Sequence, residues 1–69
     1  MINKVKGYRN MINLSQKEMA ELLGISFTSY CHKEQGKRDF KDNEKIIFLE
    51  IVKKSVPNIT IEEIFFSGK

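Results

Sequence analysis

Cys31 and His32 stand side by side and carry the most reactive side chains in the sequence. A thiol beside an imidazole suggests nucleophilic catalysis or metal ligation. Neither fits. Adjacent helical residues diverge by about 100°, so this imidazole cannot serve that thiol as a base. A chain of 69 residues is also too short to form a substrate cleft. A structural zinc site wants four ligands, and the chain offers one Cys and one His. The sequence therefore predicts no catalytic residues, no metal site and no cofactor. The chemistry left is non-covalent, and Lys37 and Arg38, directly after Gly36, are two adjacent cations that could serve it.

The charge is unevenly shared. Residues 1–41 hold eight cations against four acids, and residues 42–69 hold four against five, within a net charge of +3. A basic front half and a near-neutral back half point to a polyanion partner for the front. Ordinary solubilising charge explains the total equally well. The longest apolar run is residues 46–49, far below the ~20 residues of a membrane span. With a lone thiol and no apolar stretch behind Met1, the expectation is a single soluble cytoplasmic domain over residues 1–69.

The elements that must position these residues read as helical throughout. Val5, Tyr8 and Ile12 share one helix face, and Asn13 tolerates the left-handed turn that would end it. Ser15 and Glu18 form a capping box ahead of a second helix with Met19, Ala20, Leu22 and Leu23 as its apolar face. Gly24 closes that helix, and Ser26 caps a third over residues 27–35, which stops at Gly36. A turn at about 23–26 between two short helices is helix–turn–helix spacing. A fourth helix is expected over about 43–54, broken by Pro57 and Asn58. Thr60 and Glu63 form another capping box opening a last helix over Ile61, Ile64 and Phe65; a strand around Ile59 is the alternative, but no partner strand exists for it. The fold class is all-α, a bundle of five short helices.

"LSQKEMAELLGIS" followed by "EQGKR" resembles the helix–turn–helix of phage Cro and lambda-repressor-like regulators, the Xre-type family. The resemblance spans nearly the whole chain: Arg9, Ser15-Gln16, Ala20, Gly24, Ile25-Ser26, Glu34, Gly36-Lys37-Arg38 and the Ile61 to Phe65 ending. It implies a DNA-binding transcriptional regulator whose third helix enters the major groove. Base readout would fall to Phe27, Thr28, Cys31 and His32, with Phe27 against a thymine methyl and Thr28 at a base edge. Phosphate contacts would come from Gln16, Ser29, Lys37, Arg38 and Lys41. Arg9 and Glu34 would form a partly buried ion pair tying the first helix to the third. Ala20 would let the second and third helices cross closely, with Ile25 and Tyr30 holding the third onto the core.

Three features depart from the family pattern. Phe27 and Thr28 replace the Arg or Gln often found there, so readout would lean on methyl groups and DNA shape; Phe27 packed in the core is the alternative. Lys33 stands where an apolar residue is usual, so either its ammonium snorkels to solvent or the helix is rotated. The stretch from Lys53 to Ile59 is about two residues longer than usual. Helix four is also richer in apolar residues than one face can bury. Ile47, Phe48, Ile51 and Val52 make one stripe, while Ile46 and Leu49, with Phe65 and Phe66, read as a homodimer surface or as residues folded over a skewed core. A two-fold dimer would set two recognition helices about 34 Å apart, on a pseudo-palindromic operator of double-stranded DNA. A protein-interaction module on the same fold, antitoxin-like or an anti-repressor subunit, is the competing expectation.

Overall fold

The computed structural model describes residues 3–65, which form five α-helices and no strand. They are α1 (Val5–Met11), α2 (Gln16–Leu23), α3 (Phe27–Glu34), α4 (Asp42–Lys53) and α5 (Ile61–Phe65). The boundaries lie where the local chemistry demands them. Asn13 takes φ 61° after α1. Ser15 and Glu18 cap α2 reciprocally, Ser15 N–H donating to Glu18 Oε1 at 2.8 Å and Glu18 N–H to Ser15 Oγ at 3.0 Å. Gly24, at φ 74°, turns the chain out of α2, and Ile25 N–H closes the end on the Ala20 carbonyl at 3.0 Å. A side chain at Gly24 would be strained there by its own Cβ. Ser26 Oγ then accepts the Ser29 N–H at 3.1 Å, and three residues separate α2 from α3.

α4 lies within one residue of its expected bounds at each end. It ends at Lys53, and the Val52 carbonyl accepts the N–H groups of Ser55 and Val56 in the turn that leads to Pro57. The Thr60–Glu63 box opens α5 as expected, with Thr60 N–H on Glu63 Oε1 at 3.0 Å. α5 is fastened to the start of α1 by Lys4 N–H, which donates to the Ile64 carbonyl at 2.9 Å.

Val5, Met19, Tyr30, Phe48, Val52 and Ile64 are fully buried, from all five helices. Through this core runs a chain of edge-to-face rings: Tyr30 on Phe40 (6.1 Å), Phe40 on Phe65 (5.3 Å) and Phe65 on Phe48 (5.8 Å). Such pairs add about 0.5–1.5 kcal/mol each beyond the area they bury. Phe40 sits outside any helix yet holds the centre of this chain, anchoring the α3–α4 loop in the core.

Phe65 and Leu49, expected on the dimer surface, turn to the chain's own core. Phe65 is only 3% exposed, and Leu49 packs partly buried against the core. α5 folds back across α4, so both residues serve this chain's own interior. Ile46 alone of the set is open, at 52%, and Phe66 lies outside the described residues. Leu22 is corrected in the other direction. It stands about 100° around α2 from Leu23, and it is exposed while Met19, Ala20 and Leu23 are buried.

A paired truncation checks this packing. Phe65→Ala should cost about 3–5 kcal/mol, as expected for a fully packed ring. Ile46→Ala should stay within about 0.5 kcal/mol for the isolated chain. Urea titrations followed by circular dichroism at low protein concentration measure both.

Candidate nucleic-acid interface

α3 carries most of the candidate site, and its inner face explains how it is held. Tyr30, Lys33 and Glu34 are buried, falling on one side of the helix at its 100° repeat. Opposite them lie Thr28 and His32, with Phe27 and Cys31 on one flank and Ser29 on the other. Thr28 and Phe27 are exposed, Phe27 at 51%, so its core alternative does not hold. Ser29, Cys31 and His32 are half-buried, and Cys31 is a free thiol. The expected base-facing set thus shares one side of α3, but only its N-terminal pair, Phe27 and Thr28, is exposed.

The Arg9–Glu34 pair is present. Arg9 Nε donates to Glu34 Oε2 at 2.8 Å and Arg9 Nη2 to Oε1 at 3.4 Å, with side-chain exposures of 8% and 3%. Arg9 Nη1 also donates to the Leu14 carbonyl at 2.8 Å, tying the pair to the α1–α2 turn. Two further donors complete Glu34: Tyr30 Oη at 2.7 Å and Gln16 Nε2 at 2.8 Å. One carboxylate therefore gathers α1, α2 and α3. Burial pushes its pKa up, but the hydrogen bonds from Arg9, Tyr30 and Gln16 outweigh that and leave it below the ordinary 4.5. The Glu34 hydrogen bond is also the main reason Arg9 is raised. Burial, then Glu34 itself, raises the Tyr30 phenol.

Gln16 therefore differs from the expectation of an amide free to take a phosphate. It is half-buried and one of its N–H groups is committed to Glu34. Lys33 neither snorkels nor marks a rotated helix. Its Nζ donates to Glu44 Oε1 at 2.7 Å, in a pair whose side chains are 5% and 3% exposed. Burial pushes Glu44 up, and the bonds from Lys33 and the Lys41 N–H then bring it below 4.5. Glu44 was not marked by periodicity, because an acid in the first turn of a helix reads as solvated capping charge. The signal was Lys33 itself: a cation on an inner face requires an acid within reach.

Lys37, Arg38 and Lys41 are all exposed. The loop holding the first two is shaped by Gly36 at φ 84° and by the His32 carbonyl, which accepts from Lys37 N–H at 2.9 Å and Arg38 N–H at 3.4 Å. No buried side-chain nitrogen or oxygen among the described residues lacks a partner. The described residues hold no group of three metal-ligating side chains, and no helix among them is long and apolar enough to cross a membrane.

No protein-family model matches this chain, and no curated protein matches it. Its function must be argued from its own residues.

Two outcomes test the polar core. Arg9→Ala and Glu34→Ala should each cost about 3–5 kcal/mol, since each leaves a charge buried without its partner. The double variant should cost clearly less than their sum in a double-mutant cycle. The second outcome is a pH dependence. Glu34 and Glu44 both have folded-state pKa values below 4.5. Their stabilisation is therefore full above the unfolded carboxylate value and drains as pH falls through it toward the folded values. Denaturation midpoints should hold from pH 7 to about 5 and drop below about 4.5, a slope that Glu34→Gln and Glu44→Gln each reduce.

Proposed function

We propose that this chain is a sequence-specific double-stranded DNA-binding regulator of the Cro-like, Xre type, acting without catalysis. The observation that carries the reading is α3 itself. Its inner face is locked by Tyr30, Lys33 and Glu34 while Phe27 and Thr28 stand open at its first turn. A helix fixed from behind and open at its N-terminal end suits insertion into a major groove. Phe27 then meets a thymine methyl, and Thr28 a base edge or methyl. Lys37, Arg38 and Lys41 supply backbone charge, joined by the remaining N–H of Gln16. His32 and Cys31, half-buried, take a secondary part in readout. Two copies related by a two-fold axis would read a pseudo-palindrome, with the open Ile46 on α4 as the apolar centre of their contact.

One observation favours a second reading. Phe27 and Leu22, both about half exposed, flank the α2–α3 turn and offer apolar surface to a protein partner. Salt separates the two. DNA binding through about five phosphates per subunit gives a log–log salt slope of about −4 to −5 per subunit, whereas apolar protein association barely responds.

Selection from a random duplex pool, followed by fluorescence anisotropy across a salt series, is the test. A two-fold motif is expected, with Thr28→Ala costing about 1–3 kcal/mol at one base position and relaxing preference there. Lys37→Ala should weaken all sequences alike and make the slope shallower by about 0.9 per subunit. Recovery of no motif, with salt-insensitive capture of protein instead, would transfer the assignment to the interaction module.

A further inference from the structure

Glu44 has a role beyond pairing a buried lysine. A single oxygen, Oε1, accepts both Lys33 Nζ at 2.7 Å and Lys41 N–H at 2.9 Å. Lys33 is in the last turn of α3, and Lys41 is the residue that caps α4. One buried carboxylate oxygen thus joins both ends of the loop that carries Lys37 and Arg38. The loop is also restrained by the His32 carbonyl of α3, which accepts from Lys37 and Arg38, and by Phe40 in the core. Those two fix its first turn and its depth. Glu44 ties the end of α3 directly to the start of α4.

We propose that Glu44 is a positioning residue for phosphate contact: it sets the span of the 34–40 loop, and so where Lys37 and Arg38 stand relative to the outer face of α3. This rests on the DNA-binding reading above. A buried Lys–Glu pair is a poor stabiliser against well-packed apolar residues, since desolvation offsets most of the attraction. Its use here is geometric. It lets the first turn of α4 accept from two points at once, which an apolar pair in the same space cannot do. Exposed Lys and Arg side chains are otherwise free to spread, and a preset backbone lowers the ordering cost when they meet a phosphate.

The test uses two double variants that remove both buried charges. Lys33→Met with Glu44→Gln keeps an oxygen able to accept the Lys41 N–H, while Lys33→Met with Glu44→Met removes it. Both are checked for cooperative unfolding. Anisotropy on the selected duplex should give the Gln variant a salt slope near that of the parent chain. The Met variant should lose about two phosphate contacts per subunit, a slope shallower by roughly 1.8, with base preference at the Thr28 position unchanged. Hydrogen exchange supplies a readout that needs neither variant nor DNA: in the parent chain the Lys41 amide, which donates to Glu44, should be protected like a helical amide. An unchanged slope in a folded Met variant, or a Lys41 amide exchanging at the free-chain rate, overturns the positioning role and leaves DNA binding intact. Failure of the parent chain to bind any duplex overturns both.

Discussion

A carboxylate cannot be buried in a small protein unless its charge is answered, and Glu34 is answered from three helices. Arg9 of α1, Gln16 of α2 and Tyr30 of α3 all donate to it. Because a buried acid left with a missing partner is costly, the three helices must come together in one arrangement for the charge to be tolerated. Apolar packing is less demanding, since a leucine accepts several neighbours at several angles. Glu34 therefore supplies what the limited core of a 69-residue chain supplies poorly, a single relative placement of its first three helices.

Lys33 extends the same logic in the other direction. It is the neighbour of Glu34 on α3, buried as well, and it pairs with Glu44 of α4. Two adjacent residues of opposite charge thus fasten one short helix to α1 and α2 on one side and to α4 on the other. Around this polar centre, the rings of Tyr30, Phe40, Phe65 and Phe48 fill the remaining space edge to face. Tyr30 belongs to both systems, its ring in the aromatic chain and its hydroxyl on Glu34. The outcome is a helix with every inner side chain committed and its outer N-terminal side chains free.

That division suits the proposed role. Groove recognition needs a rigid helix whose readers lose little freedom on binding, and it needs backbone contacts that fix register. The same network bears on Gln16, whose amide is oriented by Glu34 before any phosphate arrives. The placement of the proposed readers and the proposed backbone contacts then depends on the same few buried charges. The apolar surface left over is modest: Ile46, Leu22, Phe27 and Met11 are the large apolar side chains that remain exposed among the described residues.

The sequence by itself determined the local grammar of this protein. Ser15 with Glu18, Thr60 with Glu63, Ser26, Asn13 and Gly24 mark helix ends because caps and left-handed turns are satisfied within a few residues, and those marks are visible without a fold. The Arg9–Glu34 pair was legible only through the resemblance, and Phe27 and Thr28 through their place at the head of α3. Only the tertiary structure decided the long-range partners. Glu44 carries no mark in the sequence pattern until Lys33 is brought against it, and neither does Phe40 until Tyr30 and Phe65 close around it. Phe65 reads as spare apolar surface until α5 folds back over α4. Capping energies are local and end within a turn, whereas burial depends on which elements meet. That is settled by the whole chain closing on itself, and no stretch of it carries the answer alone.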